Sequence, residues 1–194
     1  MKINKRIRKG FVSVMAMFFL MTYSAVSQEY VLNNSNSKLS VAGTSSLHDW
    51  EIVANDIKGS VTLNQPEVTV KNLRIEVVSE SLKSGKNGMD KNTYKALKTK
   101  EFKTIVFEFL EVKDFVKQTD GKYKVSVVGN LKVAGVTKKT TVNFIMTVKD
   151  NTVNLTGEKT FKMTDHKIDP PKALLGTITT GDEITIKFNV NLTK

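Results

Sequence analysis

From Gln28 to the C-terminus, apolar and polar residues alternate in long runs. Tyr123, Val125, Val127, Gly129, Leu131 and Val133 hold the odd positions of one run, with Lys122, Lys124, Ser126, Asn130 and Lys132 between them. Val142, Phe144, Met146 and Val148 repeat the pattern on even positions, as do Ile184, Ile186, Phe188 and Val190. Successive side chains of a strand point to opposite faces, so the alternation predicts strands with one enclosed apolar face and one face in water. Val68 and Val70 give way to Leu73, Ile75 and Val77. That change of parity near Lys71-Asn72 predicts a β-bulge, or a bend, inside one long strand.

Turn residues separate the runs. Asp120-Gly121 predicts a hairpin between Phe107–Val116 and Lys122–Val133, Gly135-Val136-Thr137 and Asp150-Asn151 predict the next two, and Gly181-Asp182 stands before the last strand. Pro66, Pro170 and Pro171 all fall outside the alternating runs, where a missing N–H does no harm. Counting the runs gives about eight to ten strands at the spacing of a sandwich or barrel. No repeat, linker or low-complexity stretch divides them, so residues 28–194 are expected to form one domain. One segment departs from the β pattern. Between Asn87 and Lys98, Met89, Thr93, Ala96 and Leu97 fall on one side at helical spacing, with Asp90, Lys91 and Lys95 on the other. Asn87 is the expected N-cap. Such a helix can lid one mouth of a barrel or pack outside the sheet, and the sequence leaves both open.

Long alternating strands favour an all-β, antiparallel, closed barrel, because closure removes exposed edges. A barrel of about eight strands either fills its interior with side chains or leaves room for one small ligand. By parity and size, Val41, Trp50, Phe107, Phe109, Tyr123, Val127, Leu131, Phe144, Met146 and Phe188 are assigned to the interior as candidate ligand contacts. The same large side chains are able to fill it, which would make the protein a structural or protein-interaction module instead. Trp50 has two roles open to it, stacking on a ligand at the mouth or packing in the core with its indole N–H satisfied.

The N-terminus changes the picture of charge. Lys2, Lys5, Arg6, Arg8 and Lys9 precede a mostly apolar run, Phe11–Tyr23, and Ala25-Val26-Ser27 supplies small residues for a signal peptidase. A signal peptide over residues 1–27 is expected, with cleavage before Gln28 and a periplasmic or secreted product. The apolar run is shorter than the roughly 20 residues a transmembrane helix needs, so no membrane anchor is expected after cleavage. The five basic residues of this segment account for five of the eleven net positive charges, leaving six on the rest of the chain. Those six are a scattered lysine excess without an Arg-rich, aromatic-interleaved stripe, and nucleic acid is not an expected partner. The chain has no cysteine, which excludes lipoprotein acylation, disulfides, thiolate metal sites and cysteine nucleophiles.

Catalytic signatures are absent. There is no GxSxG, HExxH, P-loop or dinucleotide fingerprint, and Gly85-Lys86-Asn87-Gly88 matches no phosphate motif. The two histidines each neighbour an aspartate, as His48-Asp49 and Asp165-His166. Brought together, these pairs would suit acid–base chemistry or a metal, but neither spacing matches a ligand motif. No enzyme activity, cofactor or metal is expected.

Several stretches together resemble one family. Leu39–Trp50 with Gly59-Ser60, the segment from Gly88-Met89-Asp90 through Ala96-Leu97 to Ile105-Val106-Phe107, the hairpin Gly129–Lys138, and Met163-Thr164-Asp165 followed by Pro170-Pro171, Gly176 and Gly181–Ile184 are similar, in that order, to the YceI-like proteins in their Bacteroidetes form. The resemblance spans nearly all of residues 28–194. It implies a lipocalin-like barrel in the bacterial envelope that encloses a long apolar chain, with polyisoprenoids or other long-chain lipids as the ligand class. Two stretches depart from it: Phe102-Lys103 stands where many relatives have an aromatic-Pro pair, and Lys167–Pro171 replaces an Arg-containing element.

Overall fold

The computed structural model describes residues 26–194. The expected signal segment therefore lies outside the described residues, except for Val26 and Ser27, which open the first strand. The strands are β1 (Val26–Leu32), β2 (Lys38–Ser45), β3 (Trp50–Ala54), β4 (Ile57–Gln65), β5 (Thr69–Val78) and β6 (Leu82–Lys83), then β7 (Thr104–Thr119), β8 (Lys122–Val133), β9 (Val136–Lys149), β10 (Thr152–Lys162), β11 (Lys172–Ala173) and β12 (Ile178–Thr193). One helix, α1 (Asn87–Leu97), lies between β6 and β7. All pairings are antiparallel, in the order β1-β4-β5-β7-β8-β9-β10-β12, and β12 returns to β1 through Val31 opposite Thr193 and Leu32 opposite Leu192. The molecule is the eight-stranded closed barrel that the alternation predicts.

Three consecutive strands break at one height. The chain steps from β1 to β2 through a 3-10 turn at Asn34–Asn36, from β3 to β4 at Asn55-Asp56, and from β5 to β6 through a 3-10 turn at Ser79–Ser81. Asn and Ser side chains compete for backbone groups, which is why such residues mark breaks in a ladder. Asn34 does this directly: its Nδ2 donates to Asn55 O and its Oδ1 accepts from the Ile57 N–H, both at 2.9 Å. Asn55 N–H in turn donates to Ser81 O at 3.1 Å. Above this step β2 pairs β12 and β3, and β3 pairs β6, so the wall continues on fresh segments. β6 is not paired with β7, and α1, the chain between them, occupies that side of the barrel's upper end.

Below the step the interior is filled. Tyr30, Leu63, Val127, Met146, Val153 and Leu192 are all completely enclosed there, and Phe144 meets Phe188 edge to face at 6.5 Å. Gly129 falls at an inward position of β8, and the Phe107 ring lies where a Cβ would stand. The bulge predicted near Lys71 is present: Thr62 pairs Asn72 and Leu63 pairs Val70, leaving Lys71 as the extra residue.

Several sequence expectations need adjustment. The turn after β8 is Ala134-Gly135, both at positive φ (47° and 81°), one position earlier than expected, as a two-residue hairpin of the primed type demands. Gly181-Asp182 lies inside β12, whose register shifts between Thr180 and Ile184, because a bulge absorbs residues that look like a turn. Asn87 is the first helical residue, not the cap; Lys86 holds that position and makes no side-chain cap. The helix start is fastened instead by Asp90, whose Oδ1 accepts from the Ser84 N–H at 2.8 Å and from Ser84 Oγ at 2.6 Å. Asp90 is accordingly buried and not solvent-facing, and these hydrogen bonds hold its carboxyl below the usual range.

Candidate functional site

Above the step the barrel is hollow. An apolar cavity of about 680 Å³ lies between the upper strands and α1. Its walls come from Val41 and Ile52 of β2 and β3, Leu82 of β6, Ile105 of β7, Val133 of β8, and Ile184 and Ile186 of β12. Alternation supplies these side chains: each sits on the inward parity of its strand. Met89, Thr93, Ala96 and Leu97 of α1 face the same space, so the helix covers part of a mouth of the barrel and does not pack on its outside. Phe161, Met163 and Ile168 complete the lining, where Ala96 and Leu97 of the helix pack against the cluster that holds Met163 and Ile168.

A narrower apolar space of about 120 Å³ continues downward. Val41, Leu82, Ile105 and Ile186 border both spaces, and Phe107, Leu131, Phe144, Leu155 and Phe188 form the floor of the lower one. The barrel thus answers the filled-or-open question by halves: packed below, open above.

The residues assigned to the interior divide along this line. Val41 and Trp50 border the upper cavity, and Val41, Phe107, Leu131, Phe144 and Phe188 border the lower space. Four do not border either. Val127 and Met146 are completely enclosed in the filled half, and Phe109 and Tyr123 are half-buried against that core. Parity chooses the face of a strand correctly, but height along the barrel axis decides between core and cavity, and period-two patterning carries no information on height. The lining residues that sequence reasoning missed are Ile52, Leu82, Ile105, Ile178, Ile184, Met163 and Ile168. Ile184 was visible within an inward run; Ile105 and Ile178 stand at the first residues of β7 and β12, before a period is established, and Ile52, Leu82, Met163 and Ile168 lie in short strands, a 3-10 turn or a loop, where no period can be read.

Trp50 has its indole N–H satisfied and also borders the cavity. Its Nε1–H donates to Thr44 O at 2.9 Å, satisfying the indole, while the ring lies against Gly43 and borders the cavity. A side chain at position 43 would overlap the ring, so the glycine fixes where the indole lies.

Polar groups gather at the opening. The exposed residues that border the cavity are Leu47 and His48 of the β2–β3 loop, Lys86, Gly88, Lys91 and Asn92 around the start of α1, and Lys172 of β11. These mark where the cavity meets solvent. No carboxylate borders it.

The two His/Asp pairs are not a joint site. His166 is buried, with Nδ1 3.1 Å from Val136 O and its ring edge-on to Phe161, and burial pushes its pKa below 6.5. His48 is exposed in its loop, with Nδ1 2.7 Å from Asp49 O. Asp165 turns back to accept from the Lys162 N–H at 3.2 Å. Among the described residues, no three His, Cys, Asp or Glu side chains are grouped so as to hold a metal. Among those same residues, no helix is long and apolar enough to cross a membrane.

Comparison with known proteins agrees with this architecture. The model of the YceI-like domain matches residues 30–192. The fold is similar to that of BcnA from Burkholderia cenocepacia, at a TM-score of 0.68 and 16% identity over 84% of this chain and 99% of that one. It is equally similar to a polyisoprenoid-binding domain from Saccharophagus degradans, at 0.67 and 12% identity over 84% and 97%. The YCEI protein of Campylobacter jejuni is similar at 0.56 and 16% identity, over 72% and 81%. No curated protein is a significant match to the sequence.

Proposed function

The chain belongs to the YceI-like domain family, and on that premise we propose that it is an exported binding protein that carries a long apolar ligand, a polyisoprenoid or another long-chain lipid, in its upper cavity. The observation that carries this reading is the apolar cavity of about 680 Å³ at one end of a barrel that narrows to a space of about 120 Å³ and then to a core packed around Val127, Met146 and Val153. Side chains that line such a volume lack contacts on one side, and an apolar chain would supply them. At about 30 Å³ for a water-sized group, the volume accommodates roughly twenty methylene-sized units. Each buried methylene contributes about 0.8 kcal/mol, so binding needs few polar contacts. The name of the Saccharophagus degradans neighbour supports the ligand class. The basic, apolar and small-residue sequence of positions 1–27 supports export to the periplasm or beyond.

Native mass spectrometry tests the proposal. The protein, expressed with its own export segment and purified without detergent, is expected to carry an adduct that organic extraction releases as an isoprenoid or acyl lipid. Protein that is free of adduct, and stays so when polyisoprenols and fatty acids are offered, would remove the carrier reading. Trp50 is the one tryptophan and borders the cavity, so ligand entry is expected to shift its emission.

A further inference from the structure

Large apolar side chains left in water are unevenly placed on this barrel. Five are exposed among the described residues, and the two most exposed, Leu47 (67%) and Leu175 (fully), both lie at the end where the cavity opens. Leu47 is at the tip of the β2–β3 loop and Leu175 is in the 3-10 turn Leu174–Gly176 that leads into β12. The β2–β3 loop is tied to the start of β12, just after the turn that carries Leu175: Ser46 N–H donates to Thr179 O at 2.9 Å, and Thr179 N–H to Ser46 Oγ at 3.1 Å. The leucines therefore stand on one joined rim.

Charge on the same rim is one-sided where it borders the opening. Lys86, Lys91 and Lys172 border the cavity, no carboxylate does, and none of the three lysines has an ion-pair partner among the described residues. Asp49, Asp165, Asp169, Asp182 and Glu183 also lie at this end without bordering the cavity, and none of them pairs with these lysines. Asp90 is buried on Ser84. Exposed leucines and unpaired lysines at one end have the composition of a surface that settles on anionic lipid, with apolar tips in the headgroup boundary and ammonium groups at the phosphates.

We propose that the open end of the barrel docks on an anionic membrane surface, with Leu47 and Leu175 entering the headgroup region and Lys86, Lys91 and Lys172 meeting lipid phosphates. Docking in this orientation turns the cavity mouth toward the bilayer, so an apolar chain passes between lipid and protein without crossing water. The purpose of the surface rests on the carrier reading; its chemistry rests on the rim alone.

Sedimentation with vesicles decides the matter, using the exported protein freed of any ligand by extraction. Vesicles of equal parts phosphatidylcholine and phosphatidylglycerol are expected to bind it about ten-fold more tightly than phosphatidylcholine alone, with the difference lost at high salt. Leu175→Asp, at a position that does not border the cavity, is expected to weaken vesicle binding about ten-fold while leaving lipid retention and the melting temperature unchanged. Lys91→Gln is expected to weaken it about five-fold. The inference is overturned if binding is absent or indifferent to lipid charge, or if Leu175→Asp binds like wild type. It is also overturned if Leu175→Asp instead abolishes a concentration-dependent dimer, which would make a second copy of the chain the occupant. Lipid retention without docking would sink this inference alone; docking without lipid retention would uphold it and sink the carrier reading.

Discussion

Ala96→Phe separates a cavity from a core. Ala96 sits on the inward face of α1, half-buried, and borders the upper cavity. The added ring has six carbons and enters a volume that holds roughly twenty methylene-sized groups. Displacing about six ligand methylenes, at about 0.8 kcal/mol each, costs binding about 5 kcal/mol if none is re-accommodated. A ligand that re-threads and recovers half of those contacts still loses about 2.4 kcal/mol, close to sixty-fold in Kd. Folding is affected little. Phenylalanine is the poorer helix former by about half a kcal/mol, and burial of its ring in the cavity opposes that loss. For a chain of this size, half a kcal/mol moves Tm by about 1–2 °C. Titration of a polyisoprenol followed by Trp50 emission, beside a thermal melt, measures both quantities. Unchanged affinity in a well-folded variant would place the ligand elsewhere. A Tm lowered by more than about 5 °C would mean that the ring is driven into the Met163 and Ile168 cluster that Ala96 also touches, and that the cavity does not admit it.

Three further outcomes are expected. Met146→Ala, in the packed half, should cost about 2–5 kcal/mol of stability by chemical denaturation and leave ligand affinity of the folded protein unaltered; a cost below about 1 kcal/mol would deny that this half is solid. Asp90→Ala removes the acceptor that holds Ser84 N–H and Oγ, at about 1–3 kcal/mol for a buried hydrogen-bonded group. Amide exchange should accelerate around residues 84–92 and ligand release should quicken, whereas unchanged exchange there would show that the helix start is held by other contacts. His166 links stability to pH. Its pKa lies below 6.5 because burial disfavours the imidazolium, so above 6.5 folded and unfolded chains are both neutral at this site. As pH falls through 6.5, the unfolded chain takes up a proton that the folded one refuses, and stability declines until the folded pKa is passed. Melts between pH 5 and 8 should show this slope in wild type and a shallower one in His166→Asn; equal slopes would assign the dependence to other groups.

The alternating runs of β8, β9 and β12 were enough to read an antiparallel barrel, because a period of two sorts side chains by face and needs no knowledge of distant residues. The bulge at Lys71 was legible for the same reason, as a change of parity inside one strand. The helix was legible in its existence and cavity-facing side, from Met89, Thr93, Ala96 and Leu97, but not in its cap. The fastening of Asp90 to Ser84 joins positions six apart that touch only once the chain has turned there. The sequence by itself therefore determined the long strands, their inward faces and the family. The tertiary structure alone decided which inward residues meet a core and which meet a cavity. Phe144 and Val41 have the same parity signature as Met146, yet Phe144 and Val41 border open space and Met146 does not. Their difference is height along the barrel, and height is set by the aligned breaks at Asn34, Asn55 and Ser81 and by where α1 crosses the mouth. These are contacts among strands far apart in sequence, and no local pattern encodes them.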